Sequence, residues 1–366
     1  MQVPFNDLYA QYCSLKAEID GAMAQVIEES AFIRGHFVET FESQFAQALA
    51  VPHCISCANG TDALYIALKA LGVEPGDEVI TTAHTWISTA ETISQAGGRV
   101  VFADTDPHYF TLNPQEIESR IGDRTRGIIV VHLYGQPADM DAILAIARQH
   151  NLWVIEDCAQ AHLAQYKGQT VGTLGDIGTF SFYPGKNLGA MGDAGAIVTR
   201  NSQLADWMAL FARHGGKGQH HIEGINSRMD GLQAAILSVK LPHLAQWNQA
   251  RRQIAQWYQQ HLGDLPQLQL PRVRPDVEPV YHLYVVKVPA GDRDRLRQHL
   301  QDEGIATGIH YPIPLHEQPA YAYLGIAPES LPVSQQAARE ILSLPIYPEM
   351  THEQVKWVSD SLRKHL

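Results

Sequence analysis

Between about residue 50 and residue 200 the chain alternates short apolar runs with longer stretches of helical periodicity, and few folds accommodate that rhythm. Glu78–Thr81, Val100–Phe102, Gly127–His132, Trp153–Glu156, Gly178–Phe182 and Ala196–Thr199 read as strands. Ala63–Leu71 and Met140–His150 read as helices between them. Strands this apolar are covered on both faces, and strands joined through helices run parallel. The pattern therefore predicts an α/β domain with a largely parallel sheet between helices. Pro75-Gly76-Asp77 and Asp104–Pro107 punctuate it as turns. A long helix is expected over Asp230–His261, interrupted near Pro242. After Leu265 four prolines (266, 271, 275 and 279) mark a change of composition. Leu283–Val288 then reads as a strand, and Asp292–Glu303 and Glu353–His365 as helices, the last with Thr351 as N-cap. The expected division is a large domain over residues 1–245, with an N-terminal arm, and a smaller α+β domain over 246–366.

Composition enters as an exclusion. The chain has 27 Lys+Arg against 39 Asp+Glu, a net charge of −12, which argues against a surface made for nucleic acid or an anionic membrane. A small basic pocket for one phosphorylated ligand stays open. No apolar run approaches the roughly 18 residues of a membrane span, and no basic start leads into an apolar stretch. Four cysteines in 366 residues make no disulfide framework, so the expected setting is the reducing cytoplasm. Cys54 and Cys57 have CxxC spacing without a second pair, where zinc wants four ligands, so both are expected to be ordinary buried cysteines. His220-His221 reads as a polar loop, and no metal site is expected. Phe32, Phe37, Phe41 and Phe45 fall near helical spacing and read as core contacts. Neither GxGxxG nor a P-loop is present.

Three segments could carry chemistry. In Asn59-Gly60-Thr61-Asp62-Ala63-Leu64, Gly60 permits a tight turn, and Thr61 or Asp62 can cap the following helix, whose N-terminus suits a phosphate. The segment Trp153–Gln160 holds an apolar strand that ends in carboxylates, Glu156 and Asp157, at the end where open α/β sheets bind ligands. Such an acid can hold a cationic ring nitrogen, bind a metal, or only cap a loop. In Ser181–Gly189, Lys186 stands among aromatic and small residues. Desolvation there would lower its pKa and free the amine to form a Schiff base. Each segment alone has a plain structural reading. Together they are what pyridoxal phosphate needs: a phosphate anchor, a carboxylate for the pyridine nitrogen, and a lysine.

With these segments on view, the chain resembles the sugar aminotransferase family (the DegT/StrS group) of fold type I pyridoxal phosphate enzymes. The likeness runs from Phe32-Ile33-Arg34-Gly35 to Leu344-Pro345-Ile346-Tyr347. It includes Glu156–His162, Asn226–Asp230, Gln233-Ala234-Ala235, His310-Tyr311-Pro312 and Leu315-His316. The resemblance implies an aspartate aminotransferase-like large domain with a mainly parallel, seven-stranded sheet and a small C-terminal domain. It makes Lys186 the catalytic lysine that bonds pyridoxal 5'-phosphate, Asp157 the partner of the ring nitrogen and Gln160 that of the ring hydroxyl oxygen. Gly60, Thr61 and Ser181 would hold the phosphate, and Trp86 would stack on the ring.

The same resemblance sends Asn226 into a neighbouring subunit's site, implying a homodimer with shared active sites. Tyr183, Arg228 and His310 would contact the substrate. The implied reaction carries an amino group from glutamate to a nucleotide-linked keto sugar. Tyr183–Asp193 resembles the enzymes that aminate carbon 3, which suggests a dTDP-3-keto-6-deoxyhexose and a place in polysaccharide or deoxyaminosugar synthesis. The alternatives are amination at carbon 4, a pyridoxal phosphate dehydratase, or a regulator that keeps the fold without catalysis. Lys186 argues against the dehydrating branch, which carries histidine there. Against the acidic whole, residues 213–228 carry Arg213, Lys217 and Arg228 with only Glu223, a local sum of +2.

Overall fold

The computed structural model describes residues 1–289 and 291–366. Three helices open the chain: α1 (Leu8–Ser14), α2 (Lys16–Glu28) and α3 (His36–Leu49). The α/β series follows as β1 (His53–Cys57), α4 (Gly60–Ala70), β2 (Glu78–Thr82), α5 (Ser88–Ala96), β3 (Arg99–Ala103), α6 (Pro114–Ile117), β4 (Thr125–Val131), α7 (Met140–Gln149) and β5 (Trp153–Asp157). Two short strands, β6 (Gln165–Tyr166) and β7 (Gln169–Thr170), lead to β8 (Ile177–Ser181), β9 (Gly195–Thr199), α8 (Ser202–Phe211), α9 (Gly231–Lys240) and α10 (Leu244–Leu262). The chain ends with β10 (Val277–Glu278), β11 (Tyr284–Lys287), α11 (Arg293–Asp302), α12 (Pro332–Glu340), β12 (Ile341–Leu344) and α13 (His352–His365).

The central sheet has seven strands in the order β1-β9-β8-β5-β4-β2-β3. Six run parallel, and β9 runs against both of its neighbours. Strand alternation sorts the side chains into two cores. Ile80, Ile128, Val130, Val154, Ala196 and Val198 face one side with α3, α7 and α9. Val79, Ile129, Ile155 and Ile197 face the other with α4, α5 and α8. Burial on both faces is why these strands read as unbroken apolar runs. The parallel strands all end on one edge of the sheet. The segments after β1, β2, β4, β5 and β8 converge there, and the candidate residues lie on that edge.

A separate two-stranded antiparallel sheet pairs β11 with β12. Tyr284, Val286, Leu342 and Leu344 share a core with Ile254 and Tyr258 of α10, Leu296 and Leu300 of α11, and Val355 and Val358 of α13. Val3, at the start of the chain, is buried in the same core. Thr351 caps α13 in a full capping box with Gln354.

The interruption expected near Pro242 is present: Pro242 has no N–H to continue the ladder and sits in a 3-10 turn over Leu241–His243 that separates α9 from α10. Two expectations need correction. Phe41 and Phe45 are fully buried, but Phe32 precedes α3 and is 44% exposed, so it is no core contact. Cys57 is buried, whereas Cys54, the neighbouring residue but two on β1, is only half-buried; both are free thiols.

Candidate active site

At the C-terminal edge of the sheet a cavity of about 870 Å³ brings together Gly60, Thr61, Trp86, Asp157, Gln160 and Ser181, with Tyr183, Lys186 and His310 also on its walls. Its floor is the start of α4. Asn59, in extended conformation, is the N-cap, and its side-chain oxygen accepts from the Asp62 N–H at 2.8 Å. The cap is therefore two residues earlier than Thr61 and three earlier than Asp62, because Gly60 already lies in the helix. The early N–H groups of a helix have no intrahelical acceptor and carry partial positive charge. A side chain at Gly60 would put its Cβ 2.5 Å from the Ser181 Cβ, so only glycine lets α4 approach the end of β8. The Thr61 hydroxyl pairs with that of Ser88 at 2.7 Å.

Two carboxylates end β5, and strand alternation sends them to opposite faces. Asp157 is buried at the cavity, where its Oδ2 accepts from the Thr89 hydroxyl at 2.9 Å and its Oδ1 from the Ala159 N–H at 3.1 Å. Burial raises its pKa, while these bonds and the Lys186 charge pull the other way. Glu156 points behind the sheet. Its two oxygens accept from His132 Nε2 and the Gly172 N–H, and from the Leu174 and Gly175 N–H groups, all within 2.7–2.9 Å. His132 Nδ1 accepts from the Ala138 N–H, so the ring proton sits on Nε2. Cys158 lies close to this pair. The Glu156 and His132 acceptors already point at N–H donors, so the group is a structural clamp rather than a set of free metal ligands.

Lys186 follows β8 in a turn in which its N–H donates to the Tyr183 carbonyl at 2.8 Å. Desolvation by the cavity walls lowers its amine pKa to about 8, against the opposing pull of Asp157. Three histidines nearby are neutral for the same reason. Burial takes His162 to about 3 and His310 to about 4, and His282 well below its ordinary value, with the Lys186 charge adding to each shift. The His310 ring pairs through Nδ1 with the Ser343 hydroxyl at 2.8 Å, and a hydrogen-bonded chain orients the other two. His162 Nε2 donates to the Ser181 carbonyl, and Asn248 donates to the His162 carbonyl, both at 2.9 Å. Asn187 Nδ2 donates to Asn248 Oδ1 and to the Val280 carbonyl. Its oxygen is thereby turned to His282 Nδ1 at 3.2 Å, which must carry the proton and leaves His282 Nε2 as an acceptor.

Gln160 is fixed in the same way. Its Oε1 accepts from the Tyr134 N–H at 2.6 Å and its Nε2 donates to the Tyr311 hydroxyl at 3.1 Å, which leaves one amide hydrogen. The Trp86 ring lies 5.6 Å from that of Tyr311 at the cavity mouth and is 56% exposed, a free aromatic face. This donor set fits pyridoxal 5'-phosphate: a cationic helix end with a hydroxyl at Ser181, a buried carboxylate, an amide hydrogen and a depressed lysine amine.

Asn226 and Arg228 are not among the residues lining the cavity. Asn226 is exposed, in a bridge with Arg213, and Arg228 is half-buried. Sequence reasoning did not single out Thr89, Asn187, His282 or Tyr311, nor Phe5 and Asn6, which also line the cavity. Asn187 and Tyr311 had a local signal, since each adjoins a residue already chosen.

The sequence profile of the DegT/DnrJ/EryC1/StrS aminotransferase family matches residues 14–363. Relatives include a pleiotropic regulatory protein of Geobacillus stearothermophilus, 46% identical over 99% of this chain and 98% of its own length. A dTDP-3-amino-3,4,6-trideoxy-alpha-D-glucose transaminase of Streptomyces venezuelae is 43% identical, over 99% and 96%. A UDP-N-acetyl-3-dehydro-alpha-D-glucosamine 3-aminotransferase of Acidithiobacillus ferrooxidans is also 43% identical, over 100% and 98%. Among solved structures, DesV of S. venezuelae in complex with a ketimine intermediate superposes with a TM-score of 0.97 at 43% identity, over 99% of this chain and 98% of that one. NtdA of Bacillus subtilis with bound cofactor PMP gives 0.89 at 35% identity, over 96% and 82%. With that match and this donor set, the chain belongs to the DegT/DnrJ/EryC1/StrS aminotransferase family and is a pyridoxal phosphate-dependent enzyme.

Proposed function

We propose that the enzyme transfers an amino group from glutamate to carbon 3 of a nucleotide-linked keto sugar, a dTDP-3-keto-6-deoxyhexose, in polysaccharide or deoxyaminosugar synthesis. The observation that carries the proposal is the cavity itself: the Lys186 amine, with its pKa near 8, shares it with the Asp157 carboxylate and the N-terminus of α4. Relatives named for 3-amino and 3-dehydro sugars support carbon 3.

In this reading the Gly60 and Thr61 end of α4 and the Ser181 hydroxyl hold the cofactor phosphate, and Asp157 holds the ring nitrogen in its protonated form. Gln160 gives its remaining N–H to the ring hydroxyl oxygen, and Trp86 covers one ring face. Once bound, pyridoxal phosphate supplies the aldehyde that takes up the amino group and an electron sink that makes the donor's alpha proton removable. Lys186 Nζ takes that proton. In the second half of the reaction it returns a proton to the sugar carbon that has received nitrogen. Tyr183 and His310 contact the sugar nucleotide. Asn226 and Arg228 act across a homodimer interface, so that each site is shared, and the working enzyme is a cytoplasmic homodimer. The division near residue 245 separates a cofactor-holding unit from a smaller one that closes the cavity with His282 and His310.

The test is mass spectrometry of products from a panel of nucleotide keto sugars with glutamate, which reports both the sugar and the carbon aminated. Lys186→Ala is expected to lose at least 10²-fold in turnover, the scale of a general acid–base group. The name of the Geobacillus relative favours a second reading as a regulator. A folded, cofactor-loaded protein that aminates nothing in the panel would support it.

A further inference from the structure

The cavity has a wall that the cofactor reading does not use. Phe5, Asn6 and Leu8 line it, although they precede every strand of the sheet. The arm is held at both ends. On one side Val3 is buried and bridged in parallel to Ile305, with the Val3 N–H on the Gly304 carbonyl at 2.9 Å and the Ala306 N–H on the Val3 carbonyl at 3.0 Å. Gly304 has φ +80°, and a Cβ there would meet the Met1 carbonyl oxygen at 2.8 Å, so the arm lies directly on the glycine. On the other side the Asp7 carboxylate caps α1 by accepting from the Ala10 N–H at 2.9 Å. Between these anchors Pro4 stiffens the backbone, and the Phe5 ring stacks on His310 at 5.6 Å and 19°.

Asn6 is then presented with its amide unused. Among the described residues neither its N–H2 nor its oxygen has a hydrogen-bond partner, while Asn6 Nδ2 reaches to 4.0 Å from where a Cβ on Gly185 would lie, one residue before Lys186. A group pinned there faces whichever molecule Lys186 acts on. Two molecules use that space in turn under the proposed function, and their chemistry differs. The amino donor brings carboxylates, which call for a cation. Residues 3–8 carry no cation, and their one charge is the Asp7 carboxylate. A neutral amide that both donates and accepts suits a sugar hydroxyl, which does the same.

We infer that Asn6 is a specificity-determining residue that hydrogen-bonds a hydroxyl of the keto sugar, presented by an arm ordered before the sugar arrives. The prior ordering means that little entropy is lost when the contact forms. This rests on the nucleotide-sugar reading above. The experiment measures KM for the nucleotide keto sugar and for glutamate in wild type, Asn6→Ala and Asn6→Gln. It also measures melting temperature, bound-cofactor absorbance and calorimetric binding of the aminated sugar nucleotide. In Asn6→Ala the sugar KM and the product Kd are expected to rise about three- to tenfold, the worth of one hydrogen bond. The glutamate KM should move less than twofold, and the melting temperature and absorbance should hold. In Asn6→Gln, which keeps the amide, part of the sugar affinity should return. Equal changes in both KM values, no change in either, or a fallen melting temperature would make the arm structural and overturn the inference alone. A wild type inert toward every keto sugar would overturn the functional reading and this inference with it.

Discussion

Lys186 stands between two opposed influences, and their balance can be measured. The cavity walls disfavour its ammonium form and bring the pKa to about 8, while the Asp157 carboxylate favours it. In cofactor-free protein, acylation of Lys186 followed by peptide mass spectrometry should therefore rise with pH through a midpoint near 8. Asp157→Asn removes the favourable charge, so the midpoint should move lower still. A midpoint near the ordinary lysine value of 10.5 would show that the amine is solvated. Lys186, Asp157 and Ser181 all lie on the cavity wall; the choice of Asp157 over Glu156, and of Ser181, came from the family resemblance, and only Lys186 and the pair of strand-end carboxylates were legible as local motifs. His282 was not. Its orientation on the cavity wall depends on a hydrogen bond to Asn187, 95 residues away in sequence, and no local pattern encodes that distance. Thr89 was hidden for the same reason: it meets Asp157 across 68 residues.

At the scale of elements, strand periodicity explains both what was readable and what was not. The inner strands of the sheet announce themselves as apolar runs because both of their faces are covered. β1 (His53–Cys57) is an edge strand with mixed side chains, and it went unread. Periodicity also leaves Glu156 and Asp157 equivalent, since both end the same strand. Only the packed sheet shows Asp157 at the cavity and Glu156 in the clamp behind it. That clamp joins β4, β5 and the turn before β8 through four hydrogen bonds to one carboxylate. Replacing Glu156 by Ala strands His132 and three N–H groups, at a cost of about 3–5 kcal/mol in urea unfolding at pH 7. Burial opposes ionisation of Glu156, but His132 and the Gly175 and Gly172 N–H groups outweigh it and hold the pKa below the ordinary 4.5. Its stabilisation is therefore complete above 4.5 and is lost as pH falls through the lower folded value. The gap between wild type and variant should narrow in strong acid. A gap that stayed constant into strong acid would mean that the carboxylate charge contributes nothing.

At the scale of the whole molecule, the proposal that Asn226 serves a neighbouring subunit's site has a direct test. The net charge of −12 describes an acidic body, yet residues 213–228 sum to +2 and lie off the cavity of their own chain. A basic segment outside its own site suits a phosphorylated ligand held in another subunit's site. The proposed dimer turns this into a count. If Lys186 of one subunit works with Asn226 of the other, a Lys186→Ala homodimer and an Asn226→Asp homodimer each carry two damaged sites. A mixed dimer gathers both substitutions into one site and leaves the second site intact. Random exchange makes half of all dimers mixed, so unfolding and refolding the two together should restore about a quarter of wild-type activity. If Asn226 served its own chain, both sites of the mixed dimer would be damaged, and the mixture would do no better than the average of its parents. Size-exclusion chromatography before and after exchange keeps failure to dimerise apart from failure to complement.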